Sequence, residues 1–489
     1  MRVSCWLLGL AVALAGCAGA GPVETPVLAK TPASATPPGV ETGVVAFSSA
    51  PRTLDPVAVS SESETAVAQA VFQRLMRIGP DGGLLPDAAS DCLFSQPTTY
   101  QCTLPAGAVF SNGHPLTSSD VEFSIRRALR LSRVAAELMP SLDAIETPDD
   151  TTVRFQLAYA DAQFGYSLCA VQLSIVDERT FDADGVVTSL LAADGSGPYQ
   201  VERSDEEGIL LRRWDGYTGQ LSGRLPQLSV VARQSATAEA GMALGDYDVV
   251  WQVLEPAALE RLRLRESATP ATGGVAYQEV EWARPRLNAL YWSPSSSHRG
   301  NSALRQAVAA VLQADRSADS LLPVSVEGHA ASFAVGGTGS PPALKKGRVK
   351  LRLGYDPSAP GAGDLARLLR DRIEQLARVS VQVVAGDDAD LVLSDALPPV
   401  GTPLGWLERY LADPLEESRT ALREHVAAAR EGTGQERAAA LAWLQTQAGV
   451  DLTALPVSPA QASVVVKQGV TLESWTADGG LALWGVGHG

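Results

Sequence analysis

Five histidines and five cysteines in 489 residues leave this chain poor in the side chains that most often bind metals or attack substrates. His114, His298, His329, His425 and His488 are scattered, with no His-x-x-x-His and no Cys-x-x-Cys spacing, so no metal site is expected from them. There is no Gly-x-Ser-x-Gly elbow and no Walker loop, which removes two sequence-readable kinds of catalysis. Gly195-Ser196-Gly197-Pro198 has the glycine density of a phosphate loop, but neither Lys-Ser/Thr nor a helix start follows. The acid pairs Asp149-Asp150 and Asp387-Asp388 stand in turn-like contexts and read as solvated. Positive charge is also in deficit. Against 55 Asp and Glu stand 39 Lys and Arg, a net −16 that disfavours nucleic acid or an anionic membrane as a general partner. No internal apolar run approaches the roughly 18 residues that span a bilayer. Together these absences favour binding over catalysis, with no cofactor.

What is present suits a large folded protein. The length favours two or three domains, and 45% apolar with 19% charged residues is ordinary for a folded soluble chain. At the N-terminus, Arg2 supplies a positive start and Trp6 to Leu14 a short apolar run. Leu14-Ala15-Gly16-Cys17 then matches the bacterial lipobox, which implies cleavage before Cys17 and lipid on its sulfur. The alternative is an ordinary secretory signal with an incidental cysteine. Residues 17–40, rich in Ala, Pro, Thr and Gly, read as a flexible tether. Cys92 and Cys102 bracket a turn centred on Gln96-Pro97-Thr98 at equal distances. That spacing sets the sulfurs opposite each other, and an exported chain would bond them; a metal site lacks further ligands nearby. Cys169, among apolar neighbours, reads as a buried thiol.

Val71 to Leu129 carries the densest pattern and reads as helix, turn, strand, turn, strand, loop, helix. Pro80-Asp81-Gly82-Gly83 is turn chemistry. Thr117 can cap the second helix, with Asp120 completing a short capping box. Val121, Ile125, Ala128 and Leu129 share its buried face. This order resembles the signature region of the peptide/nickel-type extracellular solute-binding proteins (family 5), the receptor subunits of ABC importers. The residues that carry the likeness are Gly107, Phe110, Gly113, Pro115, Leu116, Thr117, Asp120, Val121, Phe123 and Ser124.

Further along, Leu54-Asp55-Pro56, Gly195-Ser196-Gly197-Pro198-Tyr199 and the helix after Asn301 are similar to landmarks of the same family. Val349–Tyr355, Leu365–Ala377, Val379–Val384 and Ala389–Leu393 alternate strand, helix, strand, strand, the pattern of an α/β lobe. Ligands of such sheets collect at the carboxyl ends of the strands. That expectation places Ser394, Asp395 and a loop through Trp406 at a cleft. Peptide-binding members carry Gly-Trp-x-x-Asp-Tyr after this strand, the Asp pairing with a peptide's α-ammonium. Here the segment is Gly405-Trp406-Leu407-Glu408-Arg409-Tyr410, so a guanidinium stands where the acid would be. Either Asp395 or Glu408 supplies the acid, or the ligand is not held by its N-terminus.

The resemblance implies a periplasmic-binding-protein-like type II fold, two α/β lobes joined by a hinge plus an extra domain inserted in the first lobe. The expected divisions are a signal at 1–16, a tether at 17–40, the first lobe at 41–70, 190–280 and 456–489, the extra domain at 71–189 and the second lobe at 281–455. It implies a monomeric, lipid-anchored receptor on the extracytoplasmic side, binding a peptide-like or other small solute and docking on ABC permease subunits. Candidate ligand-binding residues are Ser60, Ser61, Glu62, Trp251, Ser394, Asp395, Trp406 and Arg409. Trp251 could equally stack on a ligand or fill the core, and Ser60 to Glu62 could equally be a solvated loop. The alternative function is a lipoprotein that keeps the fold for envelope assembly or signalling without transport.

Overall fold

Long apolar runs and alternating ones build two different kinds of sheet in this chain. The computed structural model describes residues 41–489 apart from 80–82, 207, 222, 268–275, 282–285, 345–346, 396, 433, 461–462 and 473–480. The signal, the tether, Cys17, most of the Pro80 turn, Trp282 and Trp475 lie outside the described residues.

The first lobe rests on a seven-stranded sheet, in the order Tyr277–Glu281, Ser463–Lys467, Val249–Trp251, Thr42–Phe47, Gln227–Ala232, Gly208–Arg213, Tyr199–Asp205. Thr42–Phe47 pairs in parallel with both Gln227–Ala232 and Val249–Trp251. These inner strands are largely apolar because both faces are covered. Val45, Val230, Val249 and Trp251 enter one core, while Ala46, Val231 and Val250 enter another on the opposite face.

The second lobe is built on five strands, in the order Val379–Ala385, Val349–Tyr355, Leu391–Ser394, Arg286–Trp292, Ala454–Ala460. Val349–Tyr355, the helix Ala362–Ile373 and Val379–Ala385 form the expected crossover, with the two strands parallel and in full register. Ala366, Leu369 and Ile373 are the helix positions that enter the core. The expected division after Leu455 falls inside a strand, since Ala454–Ala460 pairs along its length with Arg286–Trp292. Pro456 and Pro459 mask the strand in the sequence; they are tolerated because this strand is the sheet's edge. The chain therefore leaves the first sheet after Glu281 and re-enters it at Ser463.

The extra domain is a four-stranded antiparallel sheet, Asp91–Gln96, Thr99–Thr103, Thr152–Leu157 and Leu142–Asp149. Here alternation is clear: Tyr100, Cys102, Val153 and Phe155 face inward onto the helix Ser118–Leu131, joined by its Val121, Ile125 and Ala128. Cys92 and Cys102 oppose each other in register and their sulfurs are bonded at 1.98 Å.

Two devices fix this domain and the first helix, Glu62–Val71, onto the first lobe. Arg127, 1% exposed, donates to both oxygens of Asp55 at 2.8 and 2.5 Å, and Val187 N donates to the same carboxylate at 2.7 Å. The Leu54-Asp55-Pro56 turn is thus a buried ionic anchor. Gly195 and Gly197 pass so close to the helix end that an added Cβ would meet Val71 O at 2.0 Å and Ala70 O at 2.6 Å. Glycine is required there for approach.

Candidate ligand-binding site between the lobes

Four strands from the two sheets end at one place. Ser48 and Ser49 follow Thr42–Phe47, Gln252 follows Val249–Trp251, Asp356 follows Val349–Tyr355, and Asp395 follows Leu391–Ser394. With the start of the first helix, these ends line a cavity of about 440 Å³. Ser60, Ser61 and Glu62 belong to that wall. They are not a loop but the helix start. Ser61 Oγ accepts from Glu64 N at 3.2 Å and Glu64 Oε2 accepts from Ser61 N at 3.0 Å, a full capping box. Burial works to raise the Glu64 carboxyl's pKa, but the N–H groups of Ser60, Arg52 and Ser61 outweigh it and hold the pKa below the ordinary value.

The floor of this inner cavity is an ionic chain. Arg286 Nη1 donates to Glu62 Oε1 at 2.6 Å, Arg286 Nη2 donates to Asp395 Oδ2 at 3.1 Å, and Trp251 Nε1 donates to Glu62 Oε2 at 2.7 Å. The Arg286 side chain is 5% exposed, against 35% for Glu62 and 30% for Asp395. Burial opposes the charge on Arg286, but the two carboxylates prevail and raise its pKa above the ordinary arginine value. Glu62 belongs to the first lobe, Arg286 and Asp395 to the second, so the chain spans the gap between lobes. Trp251 is 1% exposed and packs in the first-lobe core; it reaches the site through its N–H to Glu62.

Polar groups without partners also gather here. Gln172 Oε1 and Gln252 Nε2 are buried with no hydrogen bond. Gln252 holds φ at 50°, the left-handed region, where a non-glycine residue is strained by roughly 1–2 kcal/mol. Strain and unmet hydrogen bonds at one rim mark a place shaped for a visitor. Arg286, Gln172 and Gln252 were not legible as site residues. The usable signal was Arg286 itself, a charge heading the otherwise apolar strand RLNALYW.

Ser394, Trp406 and Arg409 line a second cavity of about 420 Å³, which shares only the wall Leu397, Pro398 and Pro399 with the first. The expected loop through Trp406 is a helix, Pro403–Ala412. Thr402 Oγ1 caps it by accepting from Gly405 N at 3.2 Å, and Pro403 occupies the first turn. Trp406 therefore sits on the helix's buried face, 8% exposed, with no partner for Nε1 among the described residues. Arg409 lies over the Tyr291 ring, 4.3 Å from its centroid. Glu408 of the same helix is pushed up to about 7 by burial and by the neighbouring Glu137 carboxyl of the extra domain.

A third cavity, about 700 Å³ and mostly apolar, lies between the extra domain and second-lobe helices, with Leu138, Tyr166, Leu404 and Leu422 in its wall. Among the described residues no group of three or more His, Cys, Asp and Glu is placed to hold a metal ion. No described helix is long and apolar enough to cross a membrane.

Two α/β lobes, a hinge crossed twice and an inserted antiparallel domain define a two-lobed solute-binding fold. The family model for bacterial extracellular solute-binding proteins, family 5 Middle, matches residues 85–362, more than half of the chain, and the chain belongs to this family. It is 27% identical over 280 residues to the probable D,D-dipeptide-binding periplasmic protein DdpA of Escherichia coli, covering 54% of this chain and 52% of DdpA. The chain thus spans about half the length of that relative. The fold matches a dipeptide binding protein of Pseudoalteromonas sp. SM9913 in complex with Met-Leu, with TM-score 0.79 at 15% identity, over 92% of this chain and 100% of the other. It also matches the binding protein AgaA of A. tumefaciens R10 in complex with agropinic acid, with TM-score 0.75 at 19% identity, over 91% and 96%.

Proposed function

We propose that this protein is a lipid-anchored solute-binding receptor of an ABC importer. It closes two lobes by a hinge on a peptide-like or other small solute and presents the closed form to permease subunits. The observation that carries this reading is the convergence of strand ends from both lobes on one polar cavity, with unpartnered Gln172 and Gln252 in its wall. Family membership supports it, as does the printed description of DdpA as a D,D-dipeptide-binding protein. In this reading Ser60, Ser61, Glu62 and Asp395 contact the solute beside Arg286, while Trp251 acts by holding Glu62. Ser394, Trp406 and Arg409 serve the adjoining compartment. The protein binds its solute without transforming it and works as a monomer.

The divisions proposed are a first lobe of 41–70, 190–281 and 461–489, an extra domain of 71–189 and a second lobe of 282–460. Cys17 carries the anchor, on the extracytoplasmic side of a membrane. Palmitate labelling in a bacterial host should mark the wild type and not Cys17→Ser; equal labelling of both removes the anchor.

The receptor reading is tested by thermal-shift screening of the full-length protein against L- and D-dipeptides, tripeptides, sugars and metal chelates. Stabilisation follows ligand saturation, so a saturable rise with one class supports it. A second reading is a lipoprotein that keeps the fold without transport. The feature that favours it is the ionic floor, where Arg286 is already neutralised by the protein's own carboxylates. A flat result across the whole panel selects that reading.

A further inference from the structure

In the cavity beside the helix Pro403–Ala412, three buried N–H groups have no acceptor among the described residues. We propose that this compartment binds a carboxylate, so that the solute presents a carboxylate end to Trp292, Arg299, Trp406 and Arg409. The inference rests on the receptor reading above and adds the chemistry of one end of the ligand.

Trp292 and Trp406 line this cavity and are 3% and 8% exposed, and neither indole N–H has a partner. An indole nitrogen only donates, and a buried donor left unmet costs about 1–3 kcal/mol. Arg299 Nε, in the same wall, is also buried without a partner. Arg409 has no ion-pair partner among the described residues, and its guanidinium carbon lies over the Tyr291 ring, 4.3 Å from the centroid. A guanidinium without an ion pair keeps N–H groups available for a planar acceptor. Three unmet donors and an unpaired guanidinium around one cavity of about 420 Å³ call for an acceptor that carries negative charge.

The acids of the wall do not supply it. Glu137 is taken by Arg133 Nε at 2.6 Å. The Asp413 carboxylate lies 4.0 Å from Arg133, and its backbone oxygen accepts from Arg299. Asp387 is an exposed residue of the lining, and Glu408 is pushed toward its neutral form by burial and by the neighbouring Glu137 carboxyl. These acids also set the charge of the guest. A single negative charge matches Arg409, whereas a phosphate dianion would meet Glu137 and Asp413 at close range. An ammonium end is better served in the inner cavity, where Glu62, Asp356 and Asp395 face one arginine.

The test uses acetate as the probe on the full-length protein at constant ionic strength and pH 7, read by tryptophan emission and by the melting temperature. Acetate should act saturably, and neutral acetamide should not. Arg409→Gln should weaken acetate about tenfold, the loss of one charge-assisted hydrogen bond. Arg409 is exposed, so the substitution leaves the core packed. Trp406→Phe, which keeps the ring and deletes the donor, should weaken it by a similar factor. Equal responses to acetate and acetamide, wild-type acetate affinity in Arg409→Gln, or tighter binding of inorganic phosphate than of acetate would each overturn the proposal. Failure here alongside a positive peptide screen sinks only the carboxylate compartment. A flat screen with a positive acetate response sinks only the transport reading.

Discussion

The two cavities that share the Leu397–Pro399 wall solve opposite electrostatic problems. In the inner one every strong charge of the floor is matched: Arg286 sits between two carboxylates, and one of those is also held by an indole. In the helix-side one the donors Trp292, Trp406 and Arg299 stay unmatched. A matched network stabilises the protein whether or not a ligand is present. Unmatched donors weaken the empty protein and reward whatever completes them. The inner floor is thus built for stability, while recognition falls to the groups left unmatched, Gln172 and Gln252 in the inner wall and the three donors beyond the shared wall.

The largest effect that could break this contrast is at Arg286. Arg286→Leu leaves Glu62 and Asp395 without their shared cation, and removal of one member of a buried ionic set should lower stability by about 3 kcal/mol. Urea unfolding of wild type and variant measures it; a change near zero would show that the floor is not a structural bond. The next test applies one chemical change to two tryptophans. Trp251→Phe removes a hydrogen bond to a carboxylate and should cost about 1.5–3 kcal/mol. Trp406→Phe removes a donor that has no partner and should be neutral or stabilising by up to about 1 kcal/mol. Equal losses in the two variants would erase the distinction between the cavities.

Acidity sharpens the comparison more gently. Glu408 has its pKa raised, to about 7, so the folded protein binds more protons than the unfolded chain between the ordinary glutamate value and that point. Stability should therefore fall as pH rises through this window, and Glu408→Gln should flatten the decline of melting temperature between pH 5 and 8. Glu64, beside the inner cavity, is shifted the other way. Its contribution is present above the unfolded-state pKa and lost as pH falls through the lower folded one. Glu64→Gln should accordingly lose stability at neutral pH and converge on the wild type in acid.

Much of the frame was legible from the sequence because local chemistry and tertiary packing agree. The Thr117–Asp120 capping box, the cap at Asn301, the Cys92–Cys102 register and the strand Val349–Tyr355 all stand where their residues point. The turn before Tyr199 was legible too, though its reason, close approach to the first helix, belongs to tertiary structure. What could not be read depends on partners distant in sequence. Arg286 meets Glu62 across 224 positions and Asp395 across 109. Pro456 and Pro459 conceal a strand that only its place at a sheet edge permits. Trp406 was expected on a loop because the family motif was read as a cleft segment. Thr402 and Pro403, a cap and a first-turn proline, were the local signs that a helix begins there.

Pro398 and Pro399 carry a last consequence. Two adjacent prolines have little torsional freedom to give up, so the divider they form behaves as a stiff septum rather than a curtain. A guest small enough to lodge in a single chamber leaves it undisturbed, while a longer one must straddle it and bend around it.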